Sequence, residues 1–237
     1  MDLPSLLALI QAGKLDEAIA VVKASPNASE ASTAFLELSK QTYRDLHDVS
    51  SMIALADAGI EFALEKATAV SSDADAGQWK KSAEVLAFNS AANCWPGWDD
   101  PGVEIKSEHL YAGLKLAELC RNLTVELNLG PKPRGTAHWL IGALKLALSG
   151  YAEALAEFQL AKQEFRASGD SEKMLMTEGY AALVQKAQPQ SREAGGHELD
   201  RILRRLESQN SKEGKIFANQ IRTADRVLLS QPENYKE

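Results

Sequence analysis

The sequence predicts an all-α protein, about eleven helices paired into antiparallel hairpins along a chain of 237 residues. Three observations carry this. Apolar residues recur at three- and four-residue steps, as in Tyr151, Ala154, Leu155, Phe158, Ala161 and Phe165; that is the period of a helix with one buried face. Period-2 runs of β-branched and aromatic residues are missing, as are the Asn-Gly and Asp-Gly pairs of tight hairpins. Glycine and proline cluster between the periodic runs, where they act as breakers.

The elements follow from those breaks. Asp2 and Pro4 start a helix over residues 3–12, since proline suits a first turn, and Gly13 ends it. Residues 15–24 run up to Pro26, and 29–46 and 48–68 follow. Helix 73–93 carries Trp79, Lys81, Val85, Asn89 and Asn93 along one side. Then comes NCWPGWDDPG at 93–102, and residues 93–105 are expected to form a non-helical insertion. Pro96 restricts Trp95 to extended backbone, with a trans bond between them. Gly97 permits a tight turn, and Asp100 or Ser107 stands where a cap for helix 106–128 is needed. That helix has an apolar stripe of Leu116, Cys120, Leu123 and Leu127.

GPKPRG at 130–135 reads as a rigid connector, because its prolines lack the donors of a phosphate nest. Helices over 134–149, 151–167, 171–187, 191–207 and 211–229 complete the chain, broken by Gly150, SGD at 168–170 and QPQS at 188–191. Leu199, Ile202, Leu203 and Leu206 form one face, and Phe217, Ile221, Ala224 and Leu228 another. The terminal SQPENYKE is polar and expected to fray. Connections of about two to five residues make neighbouring helices antiparallel. With no flexible linker in sight, residues 1–237 are expected to be one domain.

Composition narrows the function. The chain is 45% hydrophobic and 25% charged, with a net charge of −7. A nucleic-acid surface needs concentrated Lys and Arg; the densest basic run, RILRR at 201–205, is flanked by Asp200 and Glu207 and reads as a solvated helix face. No stretch reaches the about 20 apolar residues that cross a bilayer, and the amino terminus lacks the basic region of a signal peptide. The two cysteines, Cys94 and Cys120, read as buried thiols in a reducing, cytoplasmic setting.

Chemistry-bearing patterns do not assemble. His47, His109, His138 and His197 stand apart from one another and from ligand pairs, so no zinc spacing occurs. No GxSxG is present, and neither cysteine has a neighbouring histidine. The expectation is a protein without catalytic residues, metal or cofactor.

HWLIGALKLALSGYAEALAEFQLAKQEF, residues 138–165, resembles a tetratricopeptide repeat. Trp139, Ile141 and Gly142 precede a turn, and Tyr151, Ala154, Phe158 and Ala161 follow at the family spacing. Small residues at Gly142, Ala154 and Ala161 let two helix backbones approach, and Phe158 fills the gap to the next hairpin. Weaker matches lie around Gly13, Leu15 and Ala18 and around Gly179, which is 37 positions after Gly142; the family period is about 34. The resemblance implies a right-handed superhelical stack whose concave groove holds a peptide or partner domain. Carried over by position, it places Thr136, Trp139, Leu140, Ala143, Leu146 and Ala147 on that groove; the basic clamp that some members use for a peptide carboxylate is not reproduced.

The tryptophan stretch admits two readings. Its rings can plug an irregular opening between helix pairs, burying about 150–250 Å² each. Together with Asn89 and Asn93, Trp95 and Trp98 can instead form a recognition patch, since tryptophan is a favoured anchor. The expected function is a protein- or peptide-binding scaffold with an apolar groove containing Trp139. One alternative is a small-molecule sensor or enzyme, with a pocket beneath the 95–102 loop near His109 or His138. The other is a self-associating module, a homodimer filling the groove with a second copy.

Overall fold

The computed structural model describes residues 1–229, and the carboxyl-terminal SQPENYKE lies outside them. Among the described residues the protein is all-α, with eleven α-helices and no strand. By contact the described residues divide into two compact units, residues 1–94 with 102–127 and residues 95–101 with 128–229.

The first unit holds α1 (Leu3–Gln11), α2 (Leu15–Lys23), α3 (Ala28–Leu46), α4 (Val49–Ala69), α5 (Asp73–Asn93) and α6 (Ser107–Glu126). Side-chain caps start four of them. Asp2 accepts from the Ser5 N–H, Asn27 from Ser29 and Glu30, Asp48 from Ser51, and Ser72 from Asp75. Each satisfies donors that a helix start leaves orphaned. α3 packs most heavily on α4 and more lightly on α5, and α1 packs on both α2 and α3. The core runs through Phe35, Leu38, Met52, Leu55 and Leu110. At Gly59 a Cβ would lie 2.6 Å from Leu86 and 2.7 Å from Phe35, so only glycine lets α3 and α5 close on α4 there.

The second unit holds α7 (Pro131–Ala147), α8 (Tyr151–Ala167), α9 (Ser171–Ala187), α10 (Arg192–Ser208) and α11 (Lys212–Leu229), together with a 3-10 turn over Pro96–Trp98. Gly135 faces Phe165 while Gly142 faces Phe158, a pairing that runs opposite ways along the two helices and makes α7 and α8 antiparallel. A Cβ on Gly142 would come within 2.7 Å of the Phe158 ring. α11 packs on α9, α10 and the 3-10 turn.

Two local expectations are corrected. GPKPRG is the beginning of α7, not a connector before it. Gly130 turns the chain at φ 85°, and Pro131 and Pro133 sit in the first helical turn, where missing N–H donors cost nothing. The start of α6 is also different. Ser107 is its first helical residue, and the N–H of Lys106 at the cap position donates to His109 Nδ1 at 3.1 Å.

The Trp95–Pro96 bond is trans, there being no cis peptide among the described residues. Cys94 and Cys120 are buried free thiols. No described helix is long and apolar enough to cross a membrane.

Candidate functional site

Five large aromatics of the second unit meet at one place. Trp139 of α7 meets Tyr180 of α9 edge-on, with ring centroids 5.3 Å apart, and Phe158 of α8 lies 5.8 Å from Tyr180. The tryptophan turn docks on this cluster. Trp95 stands 6.2 Å from Tyr180, and Trp98 stands 6.1 Å from Trp139. Trp95 is 1% exposed, Trp139 5% and Tyr180 0%, whereas Trp98 is half-buried. Of the two readings of the stretch, the geometry places one ring inside and the other at the rim.

Local sequence explains the turn. The Trp95 indole folds back over Gly97, whose Cβ, if present, would collide with the ring. Pro96 opens the 3-10 turn, and Asp99 closes it in the left-handed region at φ 55°, a conformation that Asp tolerates better than most residues. Asp99 then accepts from Arg226 of α11 at 2.7 Å. That pair is largely exposed and contributes about 0–1 kcal/mol.

Polar satisfaction at the cluster is incomplete. The Nε1 atoms of Trp95 and Trp139 and the Tyr180 hydroxyl are buried without a hydrogen bond of normal geometry. Burial pushes the Tyr180 phenol above its ordinary range, and the facing Trp95 indole N–H partly opposes this. A buried polar group left unpaired costs about 1–3 kcal/mol. Tyr180→Phe, which deletes one of the three without changing the ring, is therefore expected to leave stability unchanged or raise it by about 1 kcal/mol. A lower urea midpoint in this variant would show that the hydroxyl is hydrogen-bonded.

The other residues singled out from sequence are distributed as follows. Leu140, Ala143, Leu146 and Ala147 are buried along with Trp139, so α7 is covered on most of its circumference. Thr136 is half-buried and donates to the Lys132 carbonyl on its own helix. Asn89 and Asn93 are half-buried residues of the first unit, and Asn89 donates to the Val85 carbonyl one turn back. Tyr180 and Arg226 were missed. A signal for Tyr180 existed: it follows Gly179 as Ala143 follows Gly142.

The histidines belong to separate settings. His138 Nδ1 lies 2.7 Å from Glu157 Oε2, an interhelical pair between α7 and α8. His109 is buried in the first unit, with Nε2 3.0 Å from Ser50 Oγ. Because Nδ1 accepts the Lys106 N–H, the neutral ring carries its proton on Nε2 and donates to Ser50. Ser50 therefore faces a donor, the reverse of a nucleophile and its base.

Burial lowers the His109 pKa; Lys106 acts in the same sense, while Glu108, the Glu104 backbone and Asp48 oppose. The stability held by this ring is complete above the unfolded value of about 6.5 and is lost as pH falls from there through the lower folded value. Urea midpoints are expected to drop as pH falls below about 6.5, and His109→Gln to flatten that slope. An identical slope in the variant would place the titration elsewhere.

The thiols are unreactive by the same physics. Burial pushes Cys94 and Cys120 each up to about 12, with Asp57 and Glu84 respectively adding to the effect. No cluster of three or more His, Cys, Asp or Glu side chains suited to a metal occurs among the described residues. Surface concavities include one on each unit with an apolar lining. One, of about 490 Å³ on the first unit, is lined by Tyr111, Ala112, Leu116 and Leu119 with Asp57, Glu108 and Lys115. The other, of about 550 Å³ across α8, α9 and α10, has Glu178 paired to Lys162 at 2.6 Å and to Arg205 at 3.6 Å.

No protein-family model matches the chain, and no curated protein matches it. Among solved structures, the chain is similar to one from the computational design of self-assembling cyclic protein homooligomers. That similarity spans 98% of this chain and 97% of that one at 15% identity, with a TM-score of 0.35. At that score it carries no weight for fold or function.

Proposed function

We propose that the protein is a non-catalytic helical scaffold that holds a tryptophan-bearing peptide segment on the aromatic face made by Trp139 and Tyr180. One observation carries this reading: the face already receives such a segment, the Trp95–Trp98 turn, through two indole contacts. A surface that seats a short aromatic turn has the shape and chemistry of a peptide site, with large rings as anchors. The resemblance to tetratricopeptide repeats agrees, since Trp139 occupies a position from which that family contacts its guests.

The test is selection of peptides from a random library on the immobilised full chain, followed by NMR titration of the winners. Selected peptides are expected to carry aromatic residues and to shift the Trp139 indole and Tyr180 amide signals. Winners that shift only residues around Tyr111 would transfer the function to the first-unit concavity. That cavity, within the about 300–1,000 Å³ range of ligand sites, supports the second reading, a small-molecule site.

A further inference from the structure

The first unit carries a hollow of its own, between α4 and α6. On α6, Glu108, Ala112, Leu116 and Leu119 follow one another at four-, four- and three-residue steps, so they share one helix face. Ala112 is the short member of that stripe, which leaves room for a concavity of about 490 Å³. Asp57 of α4 borders it, together with Tyr111 and Lys115 of α6. Leu116 is buried, Leu119 is half-buried, and Tyr111 is 59% exposed. Asp57 keeps contact with solvent, but its carboxylate also reaches toward the core. It adds to the upward push of burial on the Cys94 thiol, against which Gly113 of α6 packs.

The charges of the hollow are not matched internally. Two of its three ionic side chains are acids, Asp57 and Glu108, against the single cation Lys115. Crowding by the protein holds the Asp57 carboxyl above its ordinary pKa, and the Lys115 ammonium opposes this without cancelling it. The two side chains do not meet in an ion pair, and among the described residues the Asp57 carboxylate accepts no hydrogen bond. A carboxylate partly withdrawn from water and left without a partner is stabilised by a cation brought to it.

We infer that this concavity binds a small organic cation, a primary ammonium group borne on an apolar body. The ammonium meets the Asp57 carboxylate, with Glu108 adding to the field. The body lies along Leu116 and Leu119 beside the Tyr111 ring, whose π face also favours a cation. The lining sets the class of ligand. A metal ion finds no group of three suitable side chains among the described residues, and an anion meets two carboxylates against one lysine. Lys115 is itself a poor occupant, because its ammonium is strongly hydrated and its long stem costs rotamer entropy to fix. A ligand instead gains by taking its apolar body out of water. The site is distinct from the aromatic face of the second unit; it names the ligand class of the small-molecule reading given above and rests on that reading.

The test is an NMR titration of the full chain with phenethylamine, and with phenethyl alcohol and hydrocinnamate as its neutral and anionic counterparts. Phenethylamine is expected to shift the Tyr111, Ala112 and Lys115 amides saturably. The two counterparts are expected to bind about fivefold more weakly, as suits an ion pair in contact with solvent. Asp57→Asn is expected to lower the affinity for phenethylamine about fivefold and to leave that for phenethyl alcohol unchanged. Lys115→Gln is expected to raise the affinity for the amine about twofold, an effect that a merely loosened structure does not produce.

Equal affinity for the amine and the alcohol, or an unchanged affinity in Asp57→Asn, overturns the inference. Saturation by hydrocinnamate alone also overturns it, while the small-molecule reading survives with the opposite ligand charge. If none of the three compounds shifts these amides the inference falls, and a thermal-shift screen of neutral and anionic compounds then decides the small-molecule reading separately. Should Asp57→Asn fail to fold, the wild-type chain decides. Its affinity for phenethylamine is expected to fall as salt is raised, because ions screen a partly exposed pair. An affinity indifferent to salt would mean that the charge is not used and end the proposal.

Discussion

Trp95→Ala is expected to destabilise the protein by about 3–5 kcal/mol, the range for emptying a buried large aromatic site. Trp95 is 1% exposed, its ring lies against Tyr180, and it folds over Gly97. Alanine leaves a cavity lined by those rigid neighbours, which cannot collapse without moving the turn. A loss of that size is a large fraction of the about 5–15 kcal/mol that holds a typical domain, so the urea midpoint should fall steeply. Trp95→Phe is expected to cost much less, because it keeps a ring in place and deletes an unpaired indole N–H. Equal losses for alanine and phenylalanine would mean that the indole nitrogen, not the buried surface, matters.

Phe158→Ala is the second large effect, again about 3–5 kcal/mol. The ring is 1% exposed, packs on Tyr180, and fills the space that Gly142 leaves open on α7. The pairing predicts non-additivity. Gly142→Ala alone brings a methyl within 2.7 Å of the ring, offsetting the about 1 kcal/mol that alanine gains over glycine in a helix. In the Phe158→Ala background the methyl enters empty space, and Gly142→Ala should recover about 1 kcal/mol. Additive urea-unfolding energies for the pair would show that the two residues do not share the crossing.

Much of the architecture could be read from the chain because its signals are local. The spans 73–93, 151–167 and 171–187 coincide with α5, α8 and α9; each is fixed by a cap or glycine at one end and a periodic face between. The α7 boundary was less legible, since two prolines read as breakers until their position within the first turn is known. The aromatic site was only half legible. Trp95, Trp98 and Trp139 stand out by rarity, but Tyr180 is one tyrosine among five and acquires its role through the meeting of α7 with α9. The Asp99–Arg226 contact joins residues 127 positions apart, and no sequence period encodes such a pair. Asn89 and Asn93 were attached to the turn by adjacency in sequence; by contact they belong to the first unit and the turn to the second.

Fluorine NMR of the protein carrying 5-fluorotryptophan at Trp79, Trp95, Trp98 and Trp139 addresses the seating of the turn most directly. The expected spectrum has no solvent isotope shift at Trp95 or Trp139, a partial shift at Trp98, and a Trp139 resonance that moves when Trp98 becomes phenylalanine. A Trp95 signal as solvent-sensitive as the free amino acid, or a Trp139 signal indifferent to Trp98, would contradict a turn seated on the aromatic face.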